Sequence, residues 1–186
     1  MTAARRLQDH VVLAAIQVRR RPDLAPVLAR SPPRDVVHEV TESLELTARA
    51  KDILLRHRMA PEVPFVVGDR DRIRQVLVNL VDNAIKYNNV GGHVDVVAQV
   101  LPGGDLKVAV VDDGIGLAPQ DVARVTERFY RVDKSRSRAQ GGTGLGLAIV
   151  KHILAAHERK LLIDSTPGRG SSFGFTLPTA PAVGGG

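Results

Sequence analysis

The sequence predicts an α+β fold, a two-layer α/β sandwich in which helices cover one face of a mixed, mostly antiparallel sheet. Three observations predict it. Apolar residues recur at Ile73, Val76, Leu77, Leu80 and Ala84, the three-and-four spacing of a helix with one buried stripe. They alternate at Val94, Val96, Ala98 and Val100, and again at Leu106, Val108 and Val110 after the turn Pro102-Gly103-Gly104-Asp105, which reads as a hairpin with one core-facing side. A second helical pattern at Thr143 to His157, a strand at Lys160 to Asp164 and a last alternating run at Phe173, Phe175 and Leu177 complete the two layers.

Composition narrows the class. A chain of 186 residues suits one domain with some tail, and a domain of about 150 residues buries close to ~70% of its unfolded surface, enough for a real core. The absence of cysteine excludes disulfides and thiolate metal sites and fits a reducing cytoplasm. No run approaches the roughly 20 apolar residues of a membrane span. Val11 to Val18 follows two arginines but is short, contains Gln17 and lacks a small-residue cleavage site, so it does not read as a signal peptide. The net charge is +6, but residues 1 to 30 hold six Arg against Asp9 and Asp23, a local +4. With four Phe and two Tyr as the only aromatics, stacking platforms are scarce, and nucleic acid is not an expected partner.

In chain order, residues 1–31 are an Arg-rich amphipathic piece broken by Pro22 and Pro26, expected to be a linker that Ser31-Pro32-Pro33 ends. Arg34 to about Ala50 carries Val36, Val37, Val40, Leu44 and Ala48 at helical spacing, and Ile53 to Arg58 with Phe65 to Val67 read as two short strands around the Pro61 to Pro64 turn. The folded unit is expected to span residues 32–178, and residues 179–186 carry no ordering pattern.

Two features carry chemistry. On the Asp69 to Tyr87 helix, Asn79, Asn83 and Lys86 fall at i, i+4 and i+7, one narrow polar stripe beside the apolar one. Asn is a poor helix-interior residue, so the stripe is either a solvated face or a ligand face; carboxamide oxygens suit a hard cation shared with phosphates, and a lysine suits the phosphates. The second feature is the stretch Val110 to Lys151. An apolar run ends in Asp112-Asp113-Gly114-Ile115-Gly116, and Gly141-Gly142-Thr143-Gly144-Leu145-Gly146 opens into Leu147-Ala148-Ile149-Val150. Glycines before a helix bring backbone N–H groups and the positive helix end to an anion, and an acid at a strand end followed by Gly-x-Gly is placed to accept a hydrogen bond from a ring amino group. Either half alone is as readily an ordinary turn or cap; together they mark a nucleotide site.

These motifs resemble, in order, those of the ATP-binding catalytic domain of bacterial two-component sensor histidine kinases, within the gyrase, chaperone, histidine kinase and mismatch-repair ATPase superfamily. NLVDNAIKY (Asn79 to Tyr87) is similar to the N box, DDGIG (Asp112 to Gly116) to the first glycine box and ERFYRVDKSRS (Glu127 to Ser137) to the F box. GGTGLGLAIVK (Gly141 to Lys151) resembles the second glycine box and PGRGSSF (Pro167 to Phe173) the closing glycine turn. The resemblance covers roughly Arg34 to Pro178.

The resemblance implies ATP and Mg2+ as cofactors and a mobile ATP lid, with Ala118 to Gln140 and Gly141 to Gly146 mobile without ligand. Asp112 would bind the adenine amino group while Gly114 and Gly116 seat the base; Asn83 with Asn79 would hold the metal; Lys86 and Tyr87 would reach the phosphates and ribose. Arg131 would contact the γ-phosphate from the lid, and Gly142, Thr143, Gly144, Leu145, Gly146 and Leu147 would cradle the phosphates. Arg131, Lys86 and Asn79 are the implied catalytic residues. Hydrolysing members of the superfamily carry a glutamate one turn before the metal asparagine; Asn79 cannot act as a general base there, which implies transfer to a protein histidine. Thr126 departs from a frequent F-box aromatic. The phosphoacceptor motif is absent: His10 is followed by Val11 and His38 by Glu39, Val40 and Thr41, and His10, His38, His57, His93, His152 and His157 read as surface or packing residues. Residues 1–31 would then be a linker or the remnant of a dimerisation helix.

The implied function is transfer of the ATP γ-phosphate to a histidine of a separate dimerisation domain, with a response regulator downstream. This chain would be a monomer unable to autophosphorylate alone, the cytoplasmic part of a homodimeric protein that can be anchored in the inner membrane. The alternative is a non-catalytic nucleotide-binding interaction module; a serine-directed anti-sigma-type kinase fits less well with Asn79 and the lid motif Phe129 to Arg131.

Overall fold

Asp69 starts the helix on which the fold is assembled. Its carboxylate accepts a hydrogen bond from the Arg72 amide at 3.1 Å, a side-chain N-cap of α2 (Arg70–Lys86). In the computed structural model, which describes residues 29–132 and 143–180, Ile73, Val76, Leu77, Leu80, Val81, Ala84 and Ile85 of this helix are buried, the apolar stripe expected from the spacing. At its other end Lys51 Nζ donates to the carbonyls of Ile85 (3.0 Å) and Lys86 (2.7 Å), supplying a cation to the negative helix terminus.

α2 packs against α1 (Pro33–Arg49) and against α4 (Gly146–Ala156). Pro32 and Pro33, expected as a stop, start α1 instead: Pro32 is the N-cap and Pro33 occupies the first turn, where a missing N–H costs nothing. Glu39 on α1 pairs with Arg70 at 2.8 Å and Arg74 at 2.6 Å on α2. The ring of His157, which follows α4, bridges Ile153 O (2.8 Å) and the Asp69 amide (3.1 Å), so the end of α4 is fixed to the start of α2.

The helices cover a five-stranded sheet. Its strands are β2 (Leu54–Met59), β4 (His93–Val100), β5 (Leu106–Asp112), β6 (Leu162–Thr166) and β7 (Gly170–Leu177), in the order β2-β4-β5-β7-β6. β2 runs parallel to β4 and every other neighbour is antiparallel. Val94, Val96, Ala98, Leu106, Val108, Val110, Phe175 and Leu177 fill the helix-facing side. Val100, expected on that side, is exposed at the strand end. The opposite side carries Arg56 across from Asp95 and Asp95 across from Val111; Arg56 grips the buried Asp95 carboxylate with two bonds, 2.8 and 3.0 Å.

Three details depart from the sequence reading. Ala29–Ser31, assigned there to the linker, form a short strand, β1, paired antiparallel with β3 (Val66–Gly68). β2 and β3 flank the Pro61 to Pro64 turn as expected but join different sheets. The second helix starts at Gly146 rather than Thr143, because Gly144 lies at φ +69°, outside helical space. A four-residue helix, α3 (Pro119–Val122), completes the described elements.

Phe175 has no solvent exposure, whereas Leu46 on α1 is 80% exposed. Phe175→Ala is therefore expected to lose about 3–5 kcal/mol of stability in urea unfolding, and Leu46→Ala no more than about 0.5 kcal/mol.

Candidate functional site

One cavity of about 290 Å³ opens between the C-terminal half of α2, the end of β5, the start of α4 and the segment after α3. Most of the residues singled out from the sequence meet there: Asn79, Asn83, Lys86, Tyr87, Asp112, Gly116, Arg131, Thr143, Gly144, Gly146 and Leu147 all line it. Gly114 and Leu145 do not line it. Gly142 falls outside the described residues, as does 133–142 of the segment expected to be mobile.

The β5 end is built around a carboxylate. Asp112 Oδ1 accepts from the Gly114 amide at 2.9 Å and the Ser171 amide at 3.2 Å, which orients the side chain. Burial pushes its pKa up, the two amides pull against that, and the neighbouring Asp113 charge adds to the rise. Asp113 is held outside the cavity by the His93 amide (2.7 Å) and ring (2.8 Å). Burial raises its pKa too, but bonds from the His93 amide and the Asn88 side chain, together with the His93 ring, outweigh it, and the carboxyl ends below its ordinary value. The two adjacent acids are thus driven in opposite directions by their surroundings. Gly114 is needed for space: a Cβ there would stand 2.6 Å from Tyr87 O. Gly116 takes φ +64° against the Thr166 carbonyl.

The α2 wall is polar. Asn79 Nδ2 donates to Gln75 O at 2.8 Å, one turn back along the helix. A Cβ on Gly146 would lie 3.0 Å from Asn79 Oδ1 and 3.7 Å from Asn83 Nδ2. The bare glycine is what lets the amide-rich start of α4 approach both carboxamides. Lys86 Nζ donates to Asp82 Oδ2 at 2.6 Å, and Asp82 also lines the cavity. Oxygen donors of this kind suit a hard cation that keeps its waters and takes phosphate oxygens as further ligands. Among the described residues no three His, Cys, Asp or Glu cluster to hold a metal by themselves, so ligand oxygens would have to complete the shell.

On the fourth side Arg131 faces the cavity with Nε and Nη2 shielded from solvent and without hydrogen-bond partners among the described residues. In a half-buried guanidinium, two shielded nitrogens without partners are costly until an anion meets them. Its position is fixed nearby: the Phe129 amide donates to Gly144 O at 3.0 Å, joining the two glycine-flanked segments, and Tyr130 Oη donates to Asp121 at 2.6 Å beneath the Arg124 guanidinium.

Sequence reasoning missed several lining residues. Ser171 reaches the site through the β5–β7 register, which pairs it with Asp112; Ile115, Leu117, Val125 and Phe173 form the apolar walls that a planar ring needs, and nothing in their local pattern separates them from core.

A family model described as histidine kinase-, DNA gyrase B-, and HSP90-like ATPase matches residues 68–181. The sensor-like histidine kinase SenX3 of Mycobacterium tuberculosis is 45% identical over 143 residues, 77% of this chain and 34% of that protein. The chain spans about a third of the length of such curated relatives. Among solved structures, full-length ShkA in complex with AMPPNP superposes with a TM-score of 0.80 at 30% identity, covering 95% of this chain and 37% of that one. The mycobacterial sensor histidine kinase MprB gives 0.69 at 29% identity, covering 83% and 99%.

Asp112 also yields a sign test. Because its folded pKa is raised, the folded state holds more protons between the ordinary and the raised value, and stability falls as pH rises through that window. The charged carboxylate is a net cost at neutral pH. Asp112→Asn is expected to melt at or above the wild-type temperature at pH 7, yet to bind ADP about 10–150-fold more weakly in calorimetric titration, the loss of one charge-assisted bond. A variant that melts lower and binds ADP as wild type would contradict both roles.

Proposed function

The chain belongs to the histidine kinase-, DNA gyrase B-, and HSP90-like ATPase family, and from that premise we propose that it is the catalytic unit of a sensor histidine kinase. It binds Mg-ATP and donates the γ-phosphate to a histidine on a dimerisation domain, with a response regulator receiving the phosphoryl group downstream. The observation that carries this reading is the single cavity that joins the Asp112 carboxylate to the Asn79, Asn83, Lys86 and Arg131 side chains. The AMPPNP held by ShkA supports an adenine nucleotide as the ligand.

The geometry supports the following roles, which the family resemblance implies. With Oδ1 committed to two amides, Asp112 offers its second oxygen to the adenine amino group, and Ile115, Leu117 and Phe173 enclose the ring. Asn79 and Asn83 would hold a magnesium ion, which when bound would supply charge compensation for the phosphate oxygens. The amides at the start of α4, with Gly144 and Gly146 in close approach, cradle the phosphates. Arg131 meets the γ-phosphate as charge spreads over its oxygens during transfer, and Lys86 assists from α2. Asn79 stands where a hydrolytic relative would need a carboxylate, so water is poorly activated and the acceptor histidine is the competent nucleophile.

The acceptor and the downstream regulator are partners from outside this chain, and the full-length protein is proposed to be a homodimer with this unit on the cytoplasmic side. Among the described residues no helix is long and apolar enough to cross a membrane.

The test is transfer of labelled γ-phosphate from ATP to a separately purified histidine-bearing dimerisation domain of a close relative. Wild-type chain is expected to label it, and Arg131→Ala to slow transfer by about 10²–10³-fold while ADP affinity stays within a few-fold. An unlabelled acceptor alongside intact nucleotide binding would favour a non-catalytic nucleotide-binding module instead.

A further inference from the structure

Asp82 has no part in the reading above, yet it lines the same cavity. It stands one turn before Lys86 on α2 and accepts from the Lys86 ammonium at 2.6 Å; the two side chains are 32% and 28% exposed. An acid placed four residues before a lysine is the favourable order for such a pair on a helix, and the half-buried setting screens it less than a surface pair. The other cavity-lining groups on this helix, Asn79, Asn83 and Tyr87, carry no negative charge at neutral pH. Asp82 is therefore the one carboxylate that α2 presents to the site, and it occupies the cation assigned to the phosphates.

We propose that Asp82 makes nucleotide binding depend on a divalent cation by withholding the Lys86 ammonium from metal-free phosphates. This rests on the nucleotide-site reading and deepens it. A metal-free triphosphate carries about four negative charges near neutral pH. To reach Lys86 it must displace Asp82, and the half-buried ion pair that is broken counts against its binding. A metal-loaded nucleotide arrives with about two of those charges compensated, so it gains less from Lys86 and can bind with the pair left in place. The pair thus acts as a filter on the charge state of the ligand, and Asp82 is a specificity-determining residue rather than a catalytic one.

The test uses calorimetric titration of the whole chain with ADP and with a non-hydrolysable ATP analogue, each in magnesium and each in EDTA. Asp82→Asn preserves shape and an acceptor for Lys86 while removing the charge. It is expected to tighten the EDTA affinity by about tenfold and to change the magnesium affinity by less than about threefold. Asp82→Ser, with thermal melting of every variant, guards against a folding artefact. In a Lys86→Met background Asp82→Asn should move the EDTA affinity less than about twofold, because no ammonium is left to release. Unchanged EDTA affinity in Asp82→Asn overturns the proposal. So does a loss confined to the magnesium titrations, or equal tightening with and without Lys86, which would show the carboxylate acting on the phosphates directly. A wild-type chain that binds nothing in either buffer defeats the nucleotide-site reading itself, a distinct outcome.

Discussion

One carboxylate oxygen shared between two backbone amides organises the site. Asp112 Oδ1 receives both the Gly114 and the Ser171 N–H, and those residues come from the turn after β5 and from the neighbouring strand β7. The interaction works because the sheet brings them together: Asp112 pairs in register with Ser171, and Gly170 leaves the room, since a Cβ there would stand 1.9 Å from Asp112 O. A carboxylate is thereby held where burial opposes its charge, with its second oxygen outside those two bonds. The placement of this oxygen is a consequence of strand pairing as much as of the acid itself.

The second support is α2, whose two faces serve different ends. One face is core, capped at the start by Asp69 and held at the finish by Lys51. The other places two carboxamides, a carboxylate and an ammonium in a fixed row along the cavity. Since α1 and α4 are tied to this helix through Glu39 and His157, the start of α4 meets the row at a set height, with Gly146 against Asn79 and Asn83. Packing far from the cavity thus sets the distance between the Asn79 and Asn83 side chains and the start of α4.

What the sequence made legible was local. The three-and-four stripe of α2, the β4–β5 hairpin and each glycine box are short-range patterns; Asn79, Asn83 and Lys86 were nameable from a polar stripe beside an apolar one, Asp112 from the acid that ends a strand before Gly-x-Gly, and Arg131 only through the family resemblance. The rest was not local. β1 exists only through β3, more than thirty residues away, and Pro32-Pro33 read equally as a stop and as a helix start. Ser171 joins the site through register, and Phe173, which alternates with Phe175 and Leu177 like a core residue, lines the cavity instead. Lys86 was visible as a candidate phosphate ligand, but its pairing with Asp82 depends on side-chain geometry that spacing alone leaves open.

The most direct measurement is the set of backbone amide shifts of the chain, recorded by two-dimensional NMR with and without Mg-AMPPNP. If the cavity is the nucleotide site, the largest changes fall on Gly114, Gly116, Gly144, Gly146 and Ser171, while Val97, Lys107 and Thr176, away from the cavity, stay still. Changes centred on that second group, or no changes at millimolar ligand, would contradict it.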